Sequence, residues 1–175
     1  MQGGIDILIC NAGMNIRAPA VEMPRADWDK IVAVNLSGVF LCARAAARHM
    51  IARGRGGAIV STASIMSFSG GGLYPNIAYQ TTKGALVNMT RGLAVEWVKA
   101  GIRVNAVAPT WARTPFITPV LEQPDLVSRI KAMTPLGRIA EVEEIAPAML
   151  FLVSDPAAAM ITGHTLPVDG GFLAQ

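Results

Sequence analysis

The chain of 175 residues predicts an α/β fold in which a parallel β-sheet carries helices on both faces. Short runs of apolar, β-branched residues alternate along it with longer segments of helical periodicity. Turns rich in glycine or proline separate these segments, and no internal repeat or linker divides them. The sequence therefore predicts one domain over residues 1–175, long enough to bury a sizeable core.

Four segments have the pattern of strands, namely residues 5–10, 58–63, 102–108 and 165–169. Pro167 cannot donate a ladder hydrogen bond, so the last strand is expected at an edge of the sheet. We expect the strands to lie in chain order, with strand 5–10 at the opposite edge. Because an unpaired apolar edge invites association, we expect that strand to be covered by another chain or to be poorly ordered.

Four segments have helical periodicity, at residues 25–52, 77–99, about 126–133 and 141–153. The second helix carries its apolar stripe at three- and four-residue intervals, as in Leu86, Met89, Leu93 and Trp97. Pro147 is expected to interrupt the last helix, because proline lacks the N–H that a helix interior needs.

Composition excludes several classes of function. The net charge is +3 and the basic residues are scattered, so no nucleic-acid surface is predicted. No signal peptide is visible and no apolar run is long enough for a membrane span, which favours the cytoplasm. Cys10 and Cys42 are expected to be small buried hydrophobes, which suits a reducing compartment. His49 and His164 have no partners at metal-ligand spacing, so no metal site is predicted.

Tyr79 and Lys83 are four residues apart, which places a phenol and an ammonium on one face of a helix. A nearby cation favours the phenolate by roughly 1–3 pKa units, so Lys83 is expected to make Tyr79 useful as an acid or base near neutrality. Alone, such a pair is more often an exposed helix feature, and Ser64 alone is more often a turn residue. Asn35 stands out in an apolar helix, because a buried amide needs hydrogen-bond partners.

Together these residues and several short motifs resemble the short-chain dehydrogenase/reductase family, from residue 5 to the C-terminus. The motifs occur in family order: Ile-Leu-Ile-Cys-Asn-Ala-Gly, Val-Asn-Leu-Ser-Gly-Val-Phe, Tyr-x-x-x-Lys, Arg-Val-Asn-Ala-Val-Ala-Pro and Val-Asp-Gly-Gly. The resemblance implies the C-terminal portion of a doubly wound, Rossmann-like parallel sheet. The Gly-rich nucleotide loop is expected to precede it, in a missing unit on the order of 80 residues.

The resemblance also implies a catalytic set and a cofactor, NAD or NADP. Tyr79 would be the acid or base, Lys83 would also hold the nicotinamide ribose, and Ser64 would orient the substrate oxygen. Asn35 would hold a water that links the lysine to solvent, although a structural bond to a neighbouring strand is an alternative. The implied cofactor-binding residues are Asn11, Ala12, Gly13, Tyr79, Lys83, Pro109, Thr110 and Thr114.

Three departures from the family pattern bear on cofactor binding. Thr110 stands where the family usually has a glycine that lets the backbone approach the nicotinamide. The implied contact between Thr114 and the nicotinamide depends on the conformation of this same loop. The spacing from Ser64 to Tyr79 is slightly longer than usual. No Gly-x-Gly-x-x-Gly opens a helix, so we expect weak binding of NAD or NADP and no appreciable turnover by this chain alone.

Two functions remain open. The first is an NAD(P)-dependent oxidoreductase that interconverts a secondary alcohol and a ketone, such as a sugar acid or another small hydroxy compound. Sugar-acid members such as gluconate 5-dehydrogenase look most similar, with oxoacyl-carrier-protein reductases as the nearest rival. The second is a truncated, inactive fragment that retains only association surfaces. Helices 28–52 and 77–99 resemble the family's paired-helix interface, which implies a homodimer or homotetramer.

Overall fold

A computed structural model describes residues 4–175 and contains one four-stranded parallel sheet. The strands are β1 (Ile7–Cys10), β2 (Gly57–Thr62), β3 (Ile102–Pro109) and β4 (Thr165–Val168). They pair in the order β1-β2-β3-β4, so β1 and β4 form the edges. The predicted chain order and both predicted edge strands are therefore confirmed.

The first two long helices lie where the periodicity predicted them. Helix α1 (Arg25–Val32) continues through a six-residue π-helical segment, Ala33–Gly38, into helix α2 (Val39–Arg53). Gly54 ends α2 in the left-handed conformation that glycine adopts without strain. Helix α3 (Ile77–Trp97) leads into a single 3₁₀ turn before β3.

Three further helices follow β3, and the last one is continuous although it contains Pro147. They are α4 (Thr118–Leu121), α5 (Pro124–Met133) and α6 (Val142–Val153). The predicted interruption of α6 is therefore wrong. A capping box between Glu141 and Glu144 and the burial of its apolar residues offset the single hydrogen bond that proline removes.

Helices cover both faces of the sheet, as predicted. On one face, α2 and α3 pack against β2 and β3 through Met50, Trp97 and the strand residues Ile59 and Val104. On the other face, α6 packs its Leu152 and Val153 against Ala58, Val60 and Val107. Alternate residues of β2 therefore enter different clusters, as expected for a strand buried on both faces.

The edge strand β1 is regular, which contradicts the expectation of poor order. Its four residues pair in register with β2, and Leu8 and Cys10 pack beneath the helices. Ile7 and Ile9 are half exposed, at 50% and 44%. Pairing and packing on one side are enough to order the strand, and its coverage by another chain stays a prediction.

Two expectations about the Arg25–Arg53 helix are wrong. By length and composition alone this 29-residue helix could cross a membrane, since its most apolar window has a mean hydropathy of 1.4. One such helix is weak evidence, because core helices of soluble proteins and signal sequences pass the same criterion; a third of its most apolar window is buried. Cys42 is exposed. The buried face of α2 contains its neighbour Ala43 but not Cys42.

Candidate active site

A cavity of about 670 Å³ opens where β1, β2 and β3 end at their carboxyl edge. Open parallel sheets commonly bind ligands at this edge. Three of the four predicted catalytic residues line the cavity, namely Ser64, Tyr79 and Lys83. All the predicted cofactor-binding residues line it too: Asn11, Ala12, Gly13, Tyr79, Lys83, Pro109, Thr110 and Thr114. Asn35 is not among the lining residues.

Ser64 and Tyr79 line the same cavity, as predicted. Ser64 caps the 3₁₀ turn Ile65–Ser67, and its Oγ accepts a hydrogen bond from the Met66 N–H at 3.1 Å. Tyr79 lies in the first turn of α3, close enough for hydrogen bonding to Ser64 to favour its phenolate. The turn after β2 and the start of α3 therefore bring the two hydroxyls into one cleft.

Burial controls the titration of Tyr79 and Lys83. It raises the pKa of Tyr79 to about 12, with the Ser64 hydrogen bond acting in the opposite direction. Burial also lowers the pKa of Lys83 to about 8. The expectation that Lys83 lowers the Tyr79 pKa is therefore wrong for the chain by itself, because desolvation raises this pKa and Ser64, not Lys83, supplies the opposing contribution.

The position of Lys83 explains this outcome. Its Nζ donates to the backbone oxygen of Thr62 and lies 5.5 Å from the centroid of the Tyr79 ring. Within residues 4–175 no hydrogen bond joins it to the phenol oxygen. Lys83 as a whole is 3% exposed, and its bond to Thr62 holds the ammonium at the end of β2, beside Tyr79.

Asn35 is fully buried in the π-helical segment and holds the loop after β1 in place. Its Oδ1 accepts from the Met14 N–H at 2.8 Å, and its Nδ2 donates to the Met14 oxygen at 2.9 Å. Nδ2 also lies 3.3 Å from the Thr82 hydroxyl of α3. The alternative of a structural bond fits these contacts, although the partner is a loop instead of a strand. A role in holding water stays a prediction.

The turn Asn11–Gly13 is held close to Lys83 by the same elements. Asn11 Oδ1 accepts from the Thr62 hydroxyl at 2.9 Å. A Cβ built on Gly13 would meet both Asn35 Oδ1 and Lys83 Nζ at 3.6 Å. The backbone of this turn therefore passes directly over the buried ammonium.

The loop after β3 supplies the opposite wall. Thr110 N–H donates to the Val168 oxygen at 3.1 Å, which extends the β3–β4 ladder. Thr110 lines this cavity, and its Oγ1 is buried and has no partner among residues 4–175. The Thr114 hydroxyl donates to the Ala112 oxygen at 3.3 Å. Where glycine is usual, this chain thus presents an unpaired hydroxyl.

Hydroxyl side chains that sequence reasoning missed hold helix α3 in place. The Thr82 hydroxyl donates to the backbone oxygen of Tyr79 at 2.9 Å and accepts from the Asn35 amide. The Ser67 hydroxyl donates to the Lys83 oxygen at 2.8 Å. Ser or Thr three residues from a catalytic position is too common on helices to serve as a signal.

A second group that the sequence did not reveal lies at the cavity mouth. The Arg17 guanidinium lies 3.8 Å from the centroid of the Tyr74 ring, and Trp111 Nε1 donates to the Tyr74 hydroxyl at 3.3 Å. Asn15 and Asn76 also line the cavity, and each has a buried Oδ1 without a partner in the described structure.

The parallel sheet and the Ser64, Tyr79 and Lys83 cluster at its carboxyl edge agree with the family that the sequence resembles. A family model described as enoyl-(acyl carrier protein) reductase matches residues 1–173. The chain belongs to the short-chain dehydrogenase/reductase family.

Several relatives act on polyhydroxy compounds, judged by their names. Gluconate 5-dehydrogenase of Gluconobacter oxydans is 41% identical over 170 residues, which cover 97% of this chain and 64% of the relative. Galactitol 2-dehydrogenase of Rhizobium johnstonii is 43% identical over 167 residues, covering 95% and 64%.

A solved relative has the same fold. The gluconate 5-dehydrogenase of Burkholderia cenocepacia, crystallised with NADP and tartrate, superposes with a TM-score of 0.95 at 37% identity. The match covers 99% of this chain and 67% of that one. The chain thus spans about two thirds of the length of the relatives it matches.

Proposed function

We propose that this chain carries the catalytic and substrate-binding part of an NAD(P)-dependent oxidoreductase that interconverts a secondary alcohol and a ketone. The observation that carries the proposal is the convergence of Ser64, Tyr79 and Lys83 in one cavity of a chain from this family. The names of the gluconate and galactitol dehydrogenases support a small polyhydroxy substrate. The solved relative with NADP and tartrate supports the same cofactor type.

The described residues fit the nicotinamide end of such a cofactor. The Thr110 Oγ1 is a buried hydroxyl without a partner, and the backbone of Asn11–Gly13 is open at the cavity. We infer that these groups and Thr114 hold the nicotinamide, while Lys83 holds the adjoining ribose. When bound, the nicotinamide supplies or accepts the hydride.

We infer that Tyr79 moves the proton. With a pKa of about 12 it keeps its proton at neutral pH, ready to protonate the oxygen of a ketone during reduction. Ser64, beside it, is placed to donate to the same oxygen. Lys83 has a pKa of about 8 and is mostly charged at neutral pH, so it favours loss of the Tyr79 proton when an alcohol is oxidised.

We further propose that the 175-residue chain by itself binds either dinucleotide weakly. Its sequence contains no Gly-x-Gly-x-x-Gly, and so it offers no such backbone cradle for a pyrophosphate. Isothermal titration calorimetry of the purified chain with NAD and NADP is expected to give dissociation constants well above the micromolar range. Micromolar binding of either one would contradict this proposal.

The activity is tested by adding the segment of the relatives that lies outside their match with this chain. The unmatched segment of the Burkholderia relative is joined ahead of residue 1, and oxidation of gluconate and galactitol is followed as NADPH formation. We expect turnover by the chimera, and Tyr79→Phe is expected to lower kcat about 10²–10⁴-fold. An unchanged melting temperature serves as the folding control.

Two results would count against the proposal. Full activity of a folded Tyr79→Phe chimera would remove the tyrosine from the mechanism. A folded chimera without turnover on any secondary alcohol would favour the alternative of an inactive fragment that retains association surfaces.

We also propose that the chain associates through α2 and α3. Both helices expose apolar side chains: Phe40, Leu41, Ile51 and Val95, with Val98 just beyond α3. Exposed apolar residues that lie together on a surface are typical of interfaces. Sedimentation equilibrium is expected to report a dimer or tetramer, and a monomer at every concentration tested would contradict the proposal.

A further inference from the structure

The Val-Asp-Gly-Gly motif leads from β4 into a C-terminal turn, residues 169–175, to which the proposed reaction gives no role. The turn contains a short 3₁₀ segment, Phe172–Ala174. Both oxygens of the Asp169 carboxylate accept backbone hydrogen bonds, from the Gly171 N–H and from the Leu173 N–H, each at 2.9 Å. The aspartate therefore fixes the shape of this turn.

Two glycines let the C-terminal turn lie against the segment that follows α5. Gly170 and Gly171 have φ angles of 62° and 89°, which residues with a side chain rarely adopt. A Cβ on Gly170 would meet the Thr134 side chain at 2.8 Å, and a Cβ on Gly171 would meet Pro135 at 3.1 Å. The Gly170 oxygen also accepts from the Leu136 N–H at 3.1 Å. The close approach therefore requires glycine and anchors the turn to this segment.

The anchored turn presents Phe172 to Trp111. Phe172 is buried in the same apolar cluster as Trp111, and the two rings pack edge to face with their centroids 5.7 Å apart. The Trp111 indole N–H donates to the Tyr74 hydroxyl at 3.3 Å. Trp111 and Tyr74 line the cavity, whereas Phe172 is not among the lining residues. Phe172 thus supports a cavity wall from behind.

The groups proposed for the chemistry are held by other contacts. The Lys83 ammonium donates to the Thr62 oxygen at the end of β2. The Ser64 hydroxyl accepts from the Met66 N–H at 3.1 Å. Neither contact involves the C-terminal turn. The reacting end of the cavity and the Trp111–Tyr74 wall therefore depend on different parts of the chain.

We propose that Phe172 is a positioning residue, which holds Trp111 and Tyr74 in place and so sets the wall against which the alcohol or ketone binds. Asp169 acts one step further back, by holding the turn that presents Phe172. This inference rests on the proposed function and adds a positioning residue to it. Because neither side chain touches the reacting atoms, loss of either one is expected to raise KM and to leave kcat nearly unchanged.

The first arm of the test uses the 175-residue chain and follows the indole N–H signals of its three tryptophans by NMR. Trp111→Phe assigns the Trp111 signal, and Trp28 and Trp97 are internal references. Phe172→Ala is expected to speed hydrogen exchange at the Trp111 indole by about tenfold or more relative to both references. A general loss of stability would instead speed exchange at all three indoles.

Variants separate the aromatic ring from burial alone. Phe172→Leu keeps most of the buried apolar surface but loses the ring edge, so we expect an intermediate effect on Trp111; it also replaces Phe172→Ala if that variant does not fold. Asp169→Asn keeps one acceptor and loses the other, so a smaller effect on the same signal is expected. Phe151→Ala is the matched control, because Phe151 is 40% exposed on α6 and does not line the cavity.

The second arm measures kinetics in the chimera described above, with gluconate or galactitol as the substrate, whichever one it oxidises. Phe172→Ala is expected to raise KM about tenfold and to change kcat less than about threefold. Phe151→Ala is expected to leave both constants unchanged. A KM effect without a kcat effect distinguishes positioning of the wall from disruption of the whole site.

Two outcomes would overturn the inference. The first is exchange at the Trp111 indole that does not change with Phe172→Ala, or that changes only in step with Trp28 and Trp97. The second is an unchanged KM in the Phe172→Ala chimera. A chimera that never turns over counts against the proposed function, and the indole signals of the 175-residue chain then decide this inference alone.

Discussion

Two buried asparagines show the difference between the scaffold of this site and its binding surface. Asn35 is fully buried, and both ends of its amide are paired with the Met14 backbone. Asn76 is 6% exposed, and its Oδ1 has no partner within residues 4–175. Two asparagines that are buried to a similar extent thus differ in whether their amide groups are hydrogen-bonded.

The difference separates polar groups that hold the fold together from polar groups that the fold leaves unpaired. Groups behind the cavity, such as Thr82 and Ser67, bond to the backbone of helix α3. Residues that line it, such as Asn15 and Thr110, have buried oxygens without a partner among residues 4–175. Unpaired buried groups cost stability, and such costs concentrate at functional sites.

The largest stability effect is expected at the satisfied amide. Asn35→Ala leaves the Met14 N–H and oxygen without partners and opens a cavity in the helix pair, so we expect a loss of about 3 kcal/mol in the free energy of unfolding. Urea denaturation measures it. Asn88→Ala, at an exposed position of α3, is the control and should change little. A loss below about 1 kcal/mol would break the comparison.

Lys83 tests whether burial of a charge is costly here. Its pKa is about 8 when folded against 10.5 for a free lysine, so the unfolded chain binds more protons between these pH values. Stability is therefore expected to rise with pH from 8 to 10.5, by at most about 3 kcal/mol.

The measurement is urea denaturation across that pH range. Lys83→Met should remove this rise and should be more stable than the natural chain at pH 7, whereas the exposed Lys30→Met should keep the rise. A rise that persists in Lys83→Met would assign it to another group.

Tyr79 is expected to change stability with pH in the opposite direction from Lys83. Its pKa is about 12 when folded against 10 for a free tyrosine, so the proton retained by the folded chain contributes stability that is full below pH 10. That contribution, at most about 2–3 kcal/mol, is lost as the pH rises from 10 to 12. Because the chain has two tyrosines, Tyr74→Phe leaves one phenol for absorbance titration. Ionisation of a still folded chain near pH 10 would contradict this prediction.

The smallest effect is expected at the unsatisfied amide. Asn76→Ala removes no side-chain hydrogen bond within the described residues, so we expect a change below about 1 kcal/mol in the free energy of unfolding. The same urea series measures it beside Asn35→Ala. Equal losses for the two variants would show that Asn76 is also part of the scaffold.

The sequence alone predicted the sheet, its strand order, the long helices and the Ser64–Tyr79–Lys83 cluster. These features are local or carried by motifs: β-branched runs form strands, and a spacing of four residues places two side chains on one helix face. Three expectations drawn from the sequence were wrong: the burial of Cys42, the interruption of α6 at Pro147 and the direction of the shift in the Tyr79 pKa. Each of these depends on what surrounds a residue rather than on its neighbours in the chain.

Only the tertiary structure decided which polar groups are paired. Arg17 and Tyr74 are 57 positions apart, and Trp111 follows 37 positions later, so no local pattern relates them. They meet because parallel strands bring loops from different parts of the chain to one edge of the sheet. Burial and pairing are properties of that assembled edge. The sequence therefore determined where the chemistry lies, and the packing of the loops decided which buried groups are paired.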